Sequence, residues 1–413
     1  MSAATGILNG YDAIRDDQEA LYRDLHAHPE LSHEESRTAA EVARRLEGWG
    51  FDVRSGIGGS GVVGILRAGD GPTVLMRADM DALPITEATG ADYGSTADAV
   101  MHACGHDVHV ACLLGAARLL SSHQDQWSGT VVALFQPAEE TGDGARGMLD
   151  DGFADLLPKP DVALAQHVLP GPAGTVLTRP GPVLSSADSV RITVYGRGGH
   201  GSTPQKTVDP VVLAALIVVR MQTVVAREIA PTDTAVLTVG SIRAGSKSNI
   251  IPDEAVLELN LRTYTEATRT HMLEAIERIA RGESMASGSP KEPQIEVYDS
   301  FPLTENDETV TTRVADAFAE HFGERALEMD LQTASEDFSD VPRALGVPYT
   351  YWSIGGTDPD AWAEAERKGT IFSDIPANHS PAFLPVIQPT LETGTAALVV
   401  AAGAWLGLGS ENG

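Results

Sequence analysis

Short apolar runs alternate with helical stretches from the N-terminus to about residue 165, and that alternation is what most narrows the folds open to this chain. Helical periodicity covers 11–49, broken at His26-Ala27-His28-Pro29-Glu30 and ended by Gly50. Strands are predicted at 61–66, 73–78, 130–135 and 162–165, with helices at about 109–122 and 145–151 between them. Such an order gives an α/β layer with helices on both faces. Between 186 and 299 the order changes to strand 189–195, helix 209–227, strand 234–241, strand 255–263, helix 266–281, strand 293–298. That is the βαββαβ order of a ferredoxin-like unit. A helix at 308–322, a strand at 348–353 and a helix at 389–406 then resume the first pattern, so the 413 residues divide into a domain of 1–185 with 300–413 and an inserted domain of 186–299. Pro180-Gly181-Pro182 and Asp299-Ser300-Phe301-Pro302 are the expected hinges.

Charge excludes some partners. Lys+Arg number 29 against 58 Asp+Glu, and a net charge of -29 disfavours nucleic acid and anionic membrane surfaces. No uninterrupted apolar run approaches the roughly 20 residues of a membrane span, and residues 1–17 lack a basic stretch followed by an apolar one. A cytoplasmic location is the expectation. The 2 cysteines do not make a disulfide scaffold. Cys112, in Val110-Ala111-Cys112-Leu113-Leu114, reads as core and Cys104 as functional.

The segment Val100-Met101-His102-Ala103-Cys104-Gly105-His106-Asp107-Val108-His109 gathers one thiol, three imidazoles and a carboxylate. Nitrogen and sulfur donors in a Cys-x-His pair suit Zn²⁺ and its first-row neighbours, which makes Cys104 and His106 the leading ligand candidates. His102 and His109 stay open between ligand and structural roles. Further donors lie near the ends of predicted strands, where α/β sheets place their sites. In Gln136-Pro137-Ala138-Glu139-Glu140 consecutive carboxylates diverge, so one can meet a metal while the other faces a bound water. Asp79 and Asp81 follow another strand and can orient a ligating imidazole. His167 ends the apolar run 162–166, and His379 lies in Asn378-His379-Ser380-Pro381. Arg262 is a candidate partner for a substrate carboxylate, the alternative being a surface ion pair. Gly355 and Gly356 could offer backbone N–H groups to the same carboxylate, or form a simple turn.

Taken together, these motifs resemble the dinuclear-metal aminoacylase and carboxypeptidase family, in its N-acyl-amino-acid amidohydrolase branch of hippurate hydrolases and indole-acetyl-amino-acid hydrolases. The likeness runs from His26-Ala27-His28-Pro29-Glu30-Leu31-Ser32 to His379-Ser380-Pro381. Between them come Arg77-Ala78-Asp79-Met80-Asp81-Ala82-Leu83-Pro84, the Cys104 segment, Phe135-Gln136-Pro137-Ala138-Glu139-Glu140, Gly198-Gly199-His200-Gly201-Ser202-Thr203-Pro204 and Ser335-Glu336-Asp337-Phe338, in the family's order. The resemblance implies a mixed-sheet metallohydrolase domain with an inserted dimerisation or lid domain. It implies that Cys104, His106, Glu140, His167 and His379 ligate two divalent ions, with Cys104 as the bridge, and that Glu139 is the general base. Other branches place a His-x-Asp pair where this chain has Asp79-Met80-Asp81, and bridge with an aspartate. A thiolate in that place shifts preference toward softer ions, so Zn²⁺ is expected, with Mn²⁺, Co²⁺ or Ni²⁺ open.

The resemblance also implies that His200 stabilises the developing oxyanion, from a partner subunit in a homodimer, and that Asn249 contacts substrate. On composition alone, His200 would be an exposed imidazole in a glycine-rich loop and Asn249 a turn residue near Pro252. The expected activity is hydrolysis of N-acyl-L-amino acids to a carboxylate and a free amino acid. Alternatives are a dipeptidase or N-acetyl-diaminopimelate deacetylase of the same fold, a cysteine hydrolase using Cys104, or a non-catalytic metal-binding protein.

Overall fold

A computed structural model describes residues 4–408; the first three and last five residues of the expected 1–185 and 300–413 segments lie outside them. The described chain forms two compact units, one of 4–183, 305–331 and 337–408, the other of 184–304 and 332–336.

The first unit is built on a nine-stranded sheet. Thr73–Asp79 lies between Trp127–Gln136 and Val162–Pro172 and is parallel to both, and Tyr349–Thr357 runs parallel to Val162–Pro172 on its other side. These strands are buried almost end to end, as their unbroken apolar runs require when helices cover both faces. Asp52–Ile57, Gly61–Ala68 and Trp127–Gln136 form an antiparallel flank; the first of these strands, largely exposed and polar, carries no apolar alternation to announce it. His106–Ser122 packs against Ile387–Gly403 and Arg15–Ala27. Both long helices are apolar nearly all round, which suits burial between sheet and helix layer. Asp79 pairs in register with Gln136, so the loops that follow these two strands leave the sheet at the same end. That end is where the candidate ligands gather.

The second unit has four antiparallel strands in the spatial order Ala235–Ala244, Glu254–Thr263, Ser186–Tyr195, Gln294–Phe301. With Pro210–Thr223 and Glu266–Ala286 between strands, the chain order is βαββαβ. Alternation puts Val190, Ile192 and Val194 on one face, against Leu213, Ile217, Met272 and Ile276 of the helices, in a core of the unit's own. Asp209 and Thr265 cap the two helices through Val211 N–H and Thr268 N–H.

Two features differ from the sequence expectations. Segment 332–336 joins the second unit, because Ser185 N–H donates to the Ala334 carbonyl at 2.9 Å and Tyr264 Oη to the Gln332 carbonyl at 2.9 Å. And Pro210–Glu228, whose last five residues form a π-helical turn, is by length and a mean hydropathy of 1.7 apolar enough to cross a membrane. Only 33% of it is buried, and Arg220 and Arg227 interrupt its apolar sequence.

Because the second unit has its own core, truncating Ile276, which is fully buried, should destabilise that unit by about 2–5 kcal/mol. In denaturant titrations of Ile276→Ala the unit's transition should shift accordingly while the metal content of the folded protein stays unchanged; a shift below about 1 kcal/mol would contradict the packing described.

Candidate metal centre

The helix His106–Ser122 begins three residues before the sequence suggests, directly after Gly105 in a left-handed conformation at φ 87°. A Cβ there would lie 2.4 Å from Val168 Cγ1, so both backbone and space demand glycine. This turn puts Cys104 and His106 on either side of the helix start.

His106 is fully buried, and its Nδ1 faces Asp81 Oδ1 at 3.1 Å. A carboxylate can only accept, so the Nδ1 proton is held there and Nε2 points away. Nε2 lies 3.9 Å from Glu139 Oε2 and 3.9 Å from Glu140 Oε1, without a hydrogen-bond partner. Burial would pull this imidazole down, yet Asp79, Cys104 and Asp81 together hold it well above its ordinary range. Asp81 Oδ2 accepts from Ser32 Oγ at 2.7 Å and from the Glu140 backbone N–H at 3.0 Å, so one carboxylate fixes both a candidate ligand and the loop bearing another.

His167, within Val162–Pro172, shows the same tautomer: its Nδ1 donates to the Val168 carbonyl at 2.8 Å, leaving the Nε2 lone pair 3.4 Å from Cys104 Sγ. Burial and the neighbouring His109 hold it well below its ordinary range. His379 Nε2 is 3.4 Å from Glu140 Oε1, and its contacts with Cys104 and Glu140 push it up to about 10. Its backbone is left-handed at φ 67°, and its N–H donates to the Ala103 carbonyl at 2.8 Å. Asn378 Nδ2 donates to the carbonyls of Cys104 and Val168 at 3.0 and 3.1 Å, tying three segments together. Nothing in the sequence marked Asn378 beyond its place before His379.

The donor atoms of Cys104, His106 and His167 lie within 4.8 Å of one another, as do those of Cys104, Glu140 and His379, and those of His106, Glu139 and Glu140. Cys104 belongs to two of these groups, the position a bridging donor would take. Two buried atoms, His106 Nε2 and Glu140 Oε1, lack hydrogen bonds. Burial, with Glu140 adding, pushes the Cys104 thiol up. Divalent cations would suit these donors: they would take the His106 Nε2 lone pair and the Glu140 oxygen and would favour the thiolate form of Cys104.

His109 and Asp79 have another use. His109 Nδ1 meets Asp79 Oδ1 at 2.5 Å, while its Nε2 accepts from Val168 N–H at 2.9 Å. Both nitrogens are spent, and His109 braces the strand that carries His167. His102 is buried with no hydrogen bond at either nitrogen, and burial pushes it down to about 4, a neutral ring outside the ligand groups. Cys112 is a fully buried core residue whose thiol burial pushes up to about 12.

In the second unit His200 sits on a two-residue ladder, Gly199–His200 against Ile250–Ile251. Its Nδ1 accepts from Ser202 N–H at 3.1 Å, which leaves Nε2 to carry a proton, on an exposed residue. Asn249 adjoins the same ladder, its carbonyl taking Gly201 N–H at 2.9 Å. Arg262 spends Nη1 on the Thr333 carbonyl and Ser335 Oγ, at 3.0 and 2.9 Å, and Nε on Asn260 Oδ1 at 3.3 Å.

Gly355 requires a correction. The strand continues to Thr357, and Gly355 N–H donates to the Thr175 carbonyl at 3.1 Å within the fold, so it has no free N–H for a substrate carboxylate. Glycine is needed for packing instead: a Cβ would stand 2.1 Å from the Pro172 carbonyl oxygen.

Comparison with known proteins places this architecture. The chain is 36% identical over 342 residues to N-acetyl-L-cysteine deacetylase of Bacillus subtilis, covering 82% of this chain and 80% of that protein. It is 38% identical over 324 residues to hippurate hydrolase of Campylobacter jejuni, covering 78% and 83%. The solved structure of the Bacillus subtilis YXEP protein, a dinuclear metal binding peptidase from the M20 family, superposes with a TM-score of 0.78 at 29% identity, covering 95% of this chain and 98% of that one. With residues 75–368 matching its pattern, the chain belongs to peptidase family M20/M25/M40 and is a hydrolase of that family.

Proposed function

We propose that this protein hydrolyses the amide bond of N-acyl-L-amino acids, using two divalent ions held by Cys104, His106, Glu140, His167 and His379. The observation that carries this reading is the convergence of His106 Nε2 and Glu140 Oε1, both buried and without a hydrogen bond, on a shared thiol, with Glu139 alongside. The relatives named for hippurate and N-acetylcysteine hydrolysis support the substrate class. Two bound cations would acidify a water and polarise the scissile carbonyl. Sulfur and imidazole donors favour Zn²⁺, with Mn²⁺, Co²⁺ and Ni²⁺ as alternatives.

The residues divide the remaining work. Glu139, whose Oε2 is 3.9 Å from His106 Nε2, takes the proton from the attacking water and returns it to the leaving amine. Asp81 keeps His106 in the ligating tautomer. His200 donates Nε2–H to the carbonyl oxygen as negative charge grows, and Asn249 beside it contacts the substrate. Arg262 braces segment 332–336.

A homodimer supplies His200 in trans in this reading. The second unit offers a surface for a second copy: Ala235–Ala244 is an edge strand with no charged residue from 235 to 242 and no proline, its register broken once between Val239 and Ser241. Val212, Leu216 and Val219 form an exposed stripe on Pro210–Thr223, Val219 at 69% exposure. A two-fold axis would pair the edge strand with its copy and cover the stripe. Net charge of -29 disfavours an anionic lipid surface as the cover.

Three outcomes test the proposal. Glu139→Gln should bind metal normally and lose about 10²–10⁴-fold in kcat on N-acyl amino acids; wild-type turnover would end the assignment. Exhaustive chelation should abolish activity and Zn²⁺, Mn²⁺, Co²⁺ or Ni²⁺ should restore it, whereas chelator-insensitive activity lost on thiol alkylation would favour a cysteine nucleophile. The double variant Leu216→Asp, Val219→Asp should sediment as a monomer with full metal content and about 10²–10³-fold lower kcat, the cost of one oxyanion donor. A fully active monomer would remove the trans role of His200.

A further inference from the structure

Three residues beyond the motif that ends at Ser32, Glu35 has no part in the chemistry above, yet it reaches the loop that carries the general base. Glu35 is fully buried, and its carboxylate has three donors: His33 N–H and Ala138 N–H, each 2.9 Å from Oε1, and Ser60 Oγ, 2.5 Å from Oε2. Ala138 is the residue before Glu139, is itself fully buried, and holds a left-handed backbone at φ 51°, where a Cβ is disfavoured. A residue persists in such a conformation only when its surroundings impose it.

We infer that Glu35 is a positioning residue for Glu139: by accepting the Ala138 N–H it imposes the left-handed turn that aims the general base. The inference rests on the reading of Glu139 given above. The rest of the loop is tied independently. Ala138 carbonyl accepts from Gly144 N–H at 3.1 Å, Glu139 carbonyl from Gly142 N–H at 2.8 Å, and Glu140 N–H donates to Asp81 at 3.0 Å. Gly144 also lets the chain close on itself, since a Cβ there would stand 1.8 Å from the Pro137 carbonyl oxygen. Removing Glu35 therefore frees the bearing of Glu139 while Glu140 keeps its own anchor on Asp81. A separation of turnover from metal binding is the consequence, and a merely structural carboxylate would not produce it.

Glu35→Ala and Glu35→Asp, the latter keeping the charge but shortening the reach, should lower kcat by about 10–100-fold with metal content and KM near wild type. Glu35→Gln, which retains an oxygen toward Ala138 N–H, should stay within about threefold of wild-type kcat. Folding is read in parallel by circular dichroism, and Glu35→Asp and Glu35→Gln carry the test if the alanine variant does not fold. Wild-type kcat in folded Glu35→Asp, a Glu35→Gln as impaired as the aspartate variant, or metal loss in proportion to kcat would each overturn the inference. Run alongside, an inactive Glu139→Gln with such a result leaves the general-base reading standing. A fully active Glu139→Gln removes that reading and this inference together.

Discussion

The arrangement depends on one buried cation. Arg77 is fully buried in the middle of the sheet, and its guanidinium donates to Asp79 Oδ2 at 2.6 Å, Gln136 Oε1 at 2.9 Å and Asp337 Oδ1 at 3.2 Å. Gln136 Nε2 reaches the same Asp337 oxygen at 2.7 Å, and Ala145 N–H takes the other at 3.0 Å. Charges this deep persist only when paired and hydrogen-bonded throughout. Burial pushes Asp79 up, but His106, His109 and Arg77 outweigh it and hold the carboxyl well below its ordinary range. The network thus fixes the ends of two parallel strands and, through Asp79 to His109 to Val168 N–H, a third. Each strand end begins or carries part of the candidate metal centre. Removing one partner would leave an uncompensated charge in the core, which is why the site and the sheet cannot be varied independently.

The layer order and the ferredoxin-like unit were legible because both rest on apolar periodicity, which strands such as Thr73–Asp79 and Ser186–Tyr195 display in full. Short or polar elements were not. Asp52–Ile57 sits on an exposed edge and Val176–Thr178 is held by three residues of pairing, so neither has a period to read. The helix start at His106 was missed because its signal is a left-handed glycine rather than a side-chain cap. Gly355 failed for a related reason: two glycines suggest a turn, whereas here glycine lets two backbones approach within a continuous strand.

In the site, donor chemistry was readable and donor support only in part. Cys104, His106, Glu139 and Glu140 announce themselves as residue types, and Asp81 as a carboxylate placed to orient an imidazole; Asn378 and Glu35 do not, because they act by reaching backbone N–H and carbonyl groups of distant segments. The roles of His109 and His102 separate only in three dimensions. One has both nitrogens occupied and braces a strand, the other neither, although both are buried and lie seven residues apart.

The partner at Nδ1 sets the tautomer of each histidine: the same one in His106, His167 and His109, the other in His200. His106 presents Nε2 because Asp81 holds Nδ1, His167 presents Nε2 because a carbonyl holds Nδ1, and His109 presents nothing because both its nitrogens are engaged. His200 presents a proton on Nε2, because a backbone N–H holds its Nδ1 as acceptor. Three rings are thereby sorted into two with a free Nε2 and one brace, and a fourth into one whose Nδ1 accepts. Since each unit has a hydrophobic core of its own, the candidate ligands and His200 take their bearings from separate cores, so the tautomers on either side are fixed independently of one another.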